Sequence, residues 1–224
     1  MKRRMYRAAI FDMDGLLIDT DHMWQNAERE VFGSAGIEIS DQEGLITRNM
    51  TTSEATRYWY HQKPWKGASL WEMEQAVIKK VIDYIDTSGC PLPGVYEVMD
   101  FFKSKDFLIG LATNAPGIIA QRTLAKLGIG YHFREICSSD AVPKGKPSPD
   151  VYLYAADKLQ VETSNCIAFE DSPSGLAAAK AAGMCTVLVS KNVALNESQY
   201  DIADMMLHSL EEFDNTALEK LMQR

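Results

Sequence analysis

The sequence predicts an α/β protein built on a doubly wound parallel sheet. Four short, nearly unbroken apolar runs have the length and composition of strands that are buried on both faces. These runs are AAIF at 8–11, FLIGLAT at 107–113, CIAF at 166–169 and CTVLVS at 185–190. Amphipathic stretches with helical periodicity separate the last three runs, at 117–128, 149–161 and 174–183. Strands and helices that alternate in this way form parallel, Rossmann-like sheets with helices on both faces.

The segment between the first two predicted strands has a different pattern. Residues 17–91 carry helical periodicity, as in SLWEMEQAVIKKVIDYIDT, with no convincing strand between the helical stretches. The sequence CPLPG at 90–94 marks the end of this segment, because proline and glycine interrupt regular structure. We therefore expect an α/β core formed by residues 1–16 and 92–224, and an inserted all-α domain formed by residues 17–91.

Composition excludes several classes of protein. The formal net charge of -8 at pH 7 disfavours nucleic-acid binding, which depends on clustered lysine and arginine. No segment approaches the roughly 18–20 consecutive apolar residues of a membrane helix, so no membrane partner is expected. The four cysteines have no C-x-x-C spacing, which argues against a zinc or redox motif. Cys166 and Cys185 lie in apolar runs, and we expect buried, reduced thiols in a cytoplasmic protein.

Polar residues stand at the ends of three of the predicted strands. In open parallel sheets, ligands bind at the carboxyl ends of the strands. The residues at these ends are Asp12 and Asp14, Thr113 and Asn114, and Glu170 and Asp171. Lys146, in PKGKPSPD, precedes a further helix and joins this set. Taken singly, each residue has an ordinary explanation as a helix cap or turn residue, but in this order they reinforce one another.

Four carboxylates that converge at one edge of a sheet would repel one another unless a cation lay between them. Hard oxygen ligands without nearby histidine or cysteine favour Mg²⁺ over zinc or copper. Magnesium sites in proteins are commonly completed by water and phosphate oxygens, so a phosphorylated substrate fits the same site. Together with the ammonium group of Lys146, Mg²⁺ would also allow an acidic protein to hold an anion.

The motifs resemble a known family. FDMDGLLIDT, LATNA, GKPSPD and AFEDSPSGLAAAKAAG resemble, in this order, the four motifs of the haloacid-dehalogenase-like (HAD) phosphohydrolases. The helical insert resembles that family's α-helical cap of the first type, so the resemblance covers nearly the whole chain. The segment YWYHQKPW further resembles sugar-phosphate phosphatases that act on hexitol phosphates and 2-deoxyglucose 6-phosphate. The resemblance implies a monomeric, Mg²⁺-dependent phosphatase of a small phosphomonoester.

The resemblance also implies roles for individual residues. Asp12 would be the nucleophile that forms an aspartyl-phosphate, and Asp14 the general acid and base. The Asp12 and Asp171 carboxylates and the Asp14 backbone carbonyl would bind Mg²⁺, with assistance from Glu170. Thr113, the Asn114 backbone N–H and Lys146 would hold the phosphoryl oxygens and neutralise their charge.

The cap would exclude water and select the substrate. The candidate specificity residues in it are Trp24, Asn49 and Trp65, because a sugar face stacks readily on an aromatic ring. Trp59 is also a cap aromatic, but we expect it to be part of the cap's hydrophobic core.

Two alternatives remain open at this point. A phosphosugar mutase of the β-phosphoglucomutase type shares the motifs and the cap, but such mutases carry a histidine twelve residues after the nucleophile. This chain has Trp24 at that position, and His22 is two residues away from it. A non-catalytic binding or regulatory protein on the same fold is the other alternative. The complete set of motif residues argues against it.

Overall fold

The computed structural model describes residues 5–191 and 200–223. Within this part of the chain, six parallel strands form one sheet in the order β3-β2-β1-β4-β5-β6. The strands are β1 Ala8–Phe11, β2 Leu108–Thr113, β3 Glu135–Ser138, β4 Cys166–Glu170, β5 Cys185–Val189 and β6 Met205–Leu207. The helices are α1 Asp21–Ser34, α2 Asp41–Thr47, α3 Thr52–Gln62, α4 Leu70–Ser88, α5 Val95–Ser104, α6 Gly117–Leu127, α7 Asp150–Leu159, α8 Pro173–Ala181 and α9 Asn215–Met222. The predicted fold class is confirmed.

The sheet has a hydrophobic layer on each face because successive strand residues point to opposite sides. On one face, the ring of Phe11 in β1 stacks on Phe169 of β4 at 4.7 Å, and Phe102 of α5 packs edge-on against both. On the other face, Ile10 and Tyr152 belong to a second cluster that contains mostly small residues. The central strands are therefore apolar along most of their length, which is the pattern that made them visible in the sequence.

The sequence analysis did not identify the two edge strands, β3 and β6. An edge strand has a neighbour on one side only and is less completely buried. Ile136 of β3 is 38% exposed, and Met206 of β6 is 37% exposed. In the sequence, EICS of β3 has polar residues at both ends, and MML of β6 is an apolar run of only three residues, shorter than the four central runs.

Helices α1 to α4 form a helical insert between β1 and α5, defined from here on as residues 21–88. Three of these helices have a capping box, in which the residue just before the helix and a glutamate three positions later each accept a hydrogen bond from the other's backbone N–H. The pairs are Ser40 with Glu43, Thr51 with Glu54 and Ser69 with Glu72. The insert thus has strong local helix signals, as its sequence periodicity indicated.

The two connections between the insert and the sheet lie side by side. The backbone N–H of Leu92 donates to the carbonyl of Leu17 at 3.0 Å, and Ile18 forms an antiparallel bridge with Pro91. A bidentate ion pair between Arg122 of α6 and Asp86 of α4 joins the insert to the core at 2.5 and 2.7 Å. The insert is therefore held to the core at its two connections and through α4.

Two further sequence expectations can be compared with the structure. Cys166 and Cys185 are buried and form no disulfide, as expected. Among the described residues, no helix combines the length and the apolar character needed to cross a membrane.

Candidate active site

The parallel register brings the predicted site residues together at one edge of the sheet. Phe11 of β1 is paired with Leu111 of β2 on one side and with Phe169 of β4 on the other. Asp12, Thr113 and Asp171, which lie one or two residues beyond these three positions, therefore come to the same edge of the sheet. The backbone N–H of Asp12 also donates to the carbonyl of Phe169 at 3.0 Å, which fixes the turn after β1.

Lys146 lies in the centre of this edge. Its side chain is buried, and its Nζ donates to Asp12 Oδ1 at 2.5 Å and to Glu170 Oε1 at 2.6 Å. Burial alone would lower the pKa of Lys146, but the charges of Asp12 and Glu170 outweigh burial and raise the pKa. The lysine is therefore a permanent cation between two carboxylates.

Glu170 lies behind the cavity and is fully buried. Besides Lys146, the Tyr152 hydroxyl donates to its Oε1. Burial raises the pKa of Glu170, whereas the charge of Lys146 opposes this change. The position is closely packed, because a Cβ atom on Gly175 of α8 would come within 1.9 Å of Glu170 Oε2. Glycine at 175 leaves the space that this carboxylate occupies.

A third carboxylate completes a cluster with the chemistry of a hard-cation site. One oxygen each from Asp12, Glu170 and Asp171 lies within 4.8 Å of the others. Burial, and then the charges of Asp12 and Glu170, raise the pKa of Asp171 well above its usual range. Oxygen ligands of this kind suit Mg²⁺ better than zinc or copper. The negative charge of three neighbouring carboxylates exceeds the positive charge of the single lysine, so the cluster fits a divalent cation.

Asp14 faces the cavity from the turn after β1. Its Oδ1 accepts hydrogen bonds from Thr20 Oγ1 at 2.5 Å and from Trp24 Nε1 at 2.9 Å. Burial, followed by the charge of Asp12, raises the pKa of Asp14 to about 6, although both hydrogen bonds act in the opposite direction. A carboxyl group with this pKa can both donate and accept a proton near neutral pH.

Thr113 and Asn114 end β2 at the same edge. Thr113 is buried, and its hydroxyl lies 3.5 Å from Asp14 Oδ2. The Asn114 side chain accepts from the Lys146 backbone N–H at 2.7 Å and donates to the Asn49 carbonyl at 3.0 Å. The Asn114 side chain therefore links the loop that carries Lys146 to the helical insert, a contact that the sequence did not predict.

A cavity separates this edge of the sheet from the helical insert. Among the core residues on its wall are Asp12, Asp14, Thr113, Asn114, Lys146 and Asp171. On the insert side, Trp24 and Asn49 line it, as the sequence analysis expected for candidate specificity residues. All but one of the predicted core residues thus border one space, and Glu170 lies directly behind it.

Trp65 does not line this cavity. It is 5% exposed, its ring packs against Phe32 and Tyr60, and its Nε1 donates to the Ala68 carbonyl at 3.0 Å. The structure therefore does not support the substrate contact that was expected for Trp65, because its ring is used to hold the insert together. Trp59 is also buried in the insert, as expected.

The structure adds residues that the sequence analysis missed. Glu28 and Thr52 line the insert side of the cavity. Thr20 donates a hydrogen bond to the Asp14 carboxylate, and Tyr152 donates one to the Glu170 carboxylate. A sequence signal exists for Glu28, since it lies four residues after Trp24 and four before Phe32, on one helix face. A charged residue between two large apolar residues at this spacing indicates a buried polar group.

The chain is similar to several known proteins. The sequence profile of haloacid dehalogenase-like hydrolases matches residues 9–189. Hexitol phosphatase B of Escherichia coli K12 is 37% identical over 210 residues, which cover 93% of this chain and 95% of that protein. Fructose-1-phosphate phosphatase YqaB of the same organism is 31% identical over 185 residues, covering 81% of this chain and 95% of the relative. A crystal structure of β-phosphoglucomutase from Clostridium difficile superposes with a TM-score of 0.85 at 25% identity, covering 98% of both chains.

Proposed function

The chain belongs to the haloacid dehalogenase-like hydrolase family, and we propose that it hydrolyses a small sugar or sugar-alcohol phosphate with the help of Mg²⁺. It is a phosphoric monoester hydrolase. The alternative of a non-catalytic binding or regulatory protein is therefore not retained. The observation that carries the proposal is one arrangement of three side chains. Asp12 is held by Lys146 next to the carboxylate cluster, while Asp14, with its raised pKa, faces the same cavity.

Asp12 is proposed as the nucleophile. Its carboxylate attacks the phosphorus atom, a P–O(Asp12) bond forms and the ester P–O bond breaks. The hydrogen bond from Lys146 fixes the orientation of this carboxylate. Lys146 and Thr113 also line the cavity, where they can donate to the negatively charged phosphoryl oxygens.

Asp14 is proposed as the general acid and base. In the first step its carboxyl proton passes to the departing alkoxide oxygen, which leaves as the free alcohol. In the second step Asp14 takes a proton from water, the water oxygen attacks phosphorus, and the P–O(Asp12) bond breaks to release phosphate. A pKa of about 6 suits both transfers, because neither form of the carboxyl group is rare near neutral pH.

The acidic cluster is proposed as the Mg²⁺ site. The Asp12 and Asp171 carboxylates would hold the cation together with the Asp14 backbone carbonyl, and Glu170 would support them. When bound, Mg²⁺ supplies positive charge that offsets the negative charge of the phosphoryl group. Gly15 supports this role, since a Cβ atom there would lie 2.2 Å from Asp171 Oδ2 and would displace that carboxylate.

The helical insert is proposed as a cap over the site, with the domain boundaries expected from the sequence, residues 17–91 for the cap and 1–16 with 92–224 for the core. Its two adjacent connections suit opening and closing, which would admit substrate and exclude water during the reaction. A monomer is proposed, as the family resemblance implies.

A mutase of the β-phosphoglucomutase type is the second candidate, favoured by the structural similarity at a TM-score of 0.85. The contact of Trp24 with Asp14 argues for the phosphatase, because an indole N–H can donate a hydrogen bond but cannot accept a proton. His22 does not substitute for it, since its side chain is 59% exposed and lies 3.8 Å from Asp19.

The test is phosphate release by the purified protein with Mg²⁺ or with EDTA. Suitable substrates are sorbitol 6-phosphate, fructose 1-phosphate, 2-deoxyglucose 6-phosphate and p-nitrophenyl phosphate. We expect release only with Mg²⁺, and none from the Asp12→Asn variant. Conversion of β-glucose 1-phosphate to glucose 6-phosphate without free phosphate, followed by NMR, would instead identify a mutase.

A further inference from the structure

A buried carboxylate lies on the insert side of the cavity, away from the acidic cluster. Glu28 of α1 is 9% exposed and lines the cavity. Its Oε2 accepts hydrogen bonds from Thr47 Oγ1 at 2.9 Å and from Trp59 Nε1 at 3.4 Å. Its Oε1 receives no hydrogen bond from the described residues. One oxygen of a nearly buried carboxylate is therefore available to a ligand in the cavity.

A second feature of Glu28 is that it lacks a cationic neighbour within the described part of the chain. Among the described residues, no lysine, arginine or histidine forms an ion pair with Glu28. Arg48 lines the same cavity, but its guanidinium is paired with Asp21. Burial of an unpaired carboxylate is costly, and it raises the pKa of Glu28 in spite of the two hydrogen bonds. A buried polar group without a full set of partners calls for an explanation, and a ligand in the cavity would supply one.

A second polar group on the same wall also lacks a partner. Thr52 is 6% exposed and lines the cavity, and its Oγ1 has no hydrogen-bond partner among the described residues. The hydroxyl is not needed to cap α3, because Thr51 and Glu54 form the capping box of that helix. A buried hydroxyl can donate one hydrogen bond and accept others. It would pair with the same kind of ligand group as Glu28.

We propose that Glu28 and Thr52 form a subsite for hydroxyl groups on the carbon chain of the substrate. A carboxylate accepts strong hydrogen bonds from hydroxyl groups and repels other anions. The enzyme is therefore selective for uncharged polyhydroxy chains that carry one phosphate. It discriminates against phosphomonoesters whose other end is a carboxylate or a second phosphate. This inference rests on the proposed phosphatase function and specifies its substrate class.

The purely structural alternative is that Glu28 serves only as an acceptor for Thr47 and Trp59 within the insert. Substrate ratios distinguish the two roles. We compare kcat/KM for sorbitol 6-phosphate, which has a polyhydroxy chain, for phosphoglycolate, which ends in a carboxylate, and for p-nitrophenyl phosphate, which has no hydroxyl group. A structural defect lowers all three values together, whereas loss of the subsite changes their ratios.

The first variant is Glu28→Gln, which keeps the shape of the side chain and removes its charge. We expect the ratio of kcat/KM for sorbitol 6-phosphate to that for p-nitrophenyl phosphate to fall about tenfold or more, the effect of weakening a hydrogen bond to a charged group. The ratio for phosphoglycolate to p-nitrophenyl phosphate should rise, because the repulsion is removed. Glu38→Gln is the matched control, since Glu38 is an exposed glutamate of the same insert, outside the cavity wall.

The second variant is Thr52→Val, which removes the hydroxyl and leaves the shape nearly unchanged. If the hydroxyl binds substrate, the sorbitol 6-phosphate ratio falls several-fold while thermal stability is kept. Unchanged ratios in both variants, or a wild-type enzyme that hydrolyses phosphoglycolate as efficiently as sorbitol 6-phosphate, would overturn the subsite. If the wild-type protein hydrolyses no phosphomonoester, the proposed function itself fails, and the inference fails with it.

Discussion

Trp24 of the helical insert donates a hydrogen bond from Nε1 to Oδ1 of Asp14 at 2.9 Å. This contact joins the proposed cap to the proposed acid and base, since Asp14 follows the central strand of the core. The same oxygen accepts from Thr20, in the first connection between the two parts. Both donors favour the ionised carboxylate, so the position of the insert affects the pKa of Asp14.

Trp24→Phe removes this donor and leaves an aromatic ring. Because the hydrogen bond lowers the pKa of Asp14, its loss raises that pKa above its value of about 6. We expect the basic limb of the kcat/KM profile to move to higher pH and kcat to fall about tenfold. Trp71→Phe is the control, because Trp71 is 67% exposed on α4. Superimposable pH profiles of wild type and Trp24→Phe would show that Trp24 does not position Asp14.

Gly175→Ala adds a Cβ atom that would lie 1.9 Å from Glu170 Oε2. The carboxylate must move, and the cluster that it forms with Asp12 and Asp171 is disturbed. We expect weaker Mg²⁺ dependence, measured as at least a tenfold rise in the Mg²⁺ concentration for half-maximal activity. Gly33→Ala is the matched control, since a Cβ atom there meets no atom within 4 Å and alanine favours the helix. Equal Mg²⁺ requirements in the two variants would contradict a role for Glu170 near the metal.

Tyr152→Phe removes the hydroxyl that donates to Glu170. Glu170 is fully buried, so water cannot replace the lost donor. We expect a loss of about 1–3 kcal/mol in the free energy of unfolding, and a fall of Tm by roughly 2–10 °C. Activity should change less than in variants of Asp12 or Asp14, because the hydroxyl does not line the cavity. Tyr154→Phe, at a half-buried tyrosine of the same helix, should leave Tm nearly unchanged.

Mg²⁺ should stabilise the protein in a pH-dependent manner. Burial raises the pKa of Asp171 and of Glu170, so the folded, metal-free protein binds protons more tightly than the unfolded chain. This part of the stability is present at low pH and is lost as pH rises through the raised pKa values. Mg²⁺ competes with these protons, so the rise in Tm on adding it should be larger at about pH 8 than at about pH 5.5.

Thermal unfolding with Mg²⁺ or EDTA at the two pH values measures this effect. Asp171→Asn, which removes one carboxylate of the cluster, should abolish most of the increase. A wild-type increase of the same size at both pH values would mean that Mg²⁺ does not bind to these carboxylates.

Local sequence predicted the part of the fold that depends on continuous burial. Strands β1, β2, β4 and β5 are covered on both faces, so each had to be an apolar run, and the sequence showed each one. The edge strands β3 and β6 escaped prediction because EICS of β3 has polar residues at both ends and MML of β6 is only three residues long. Helices of the insert were visible through their periodicity, and their capping boxes agree with it.

The sequence by itself also determined which core residues meet, because parallel strands necessarily bring their carboxyl ends to one edge. Asp12, Thr113 and Asp171 had to converge once the strand assignment was correct. Only the tertiary structure decided what faces them from the insert. Periodicity places Trp24 and Glu28 on one helix face, but it does not say whether that face packs on another helix or borders a cavity. Trp65 is buried in the insert and Glu28 lines the cavity because helix packing, a long-range property, assigns each face its neighbour.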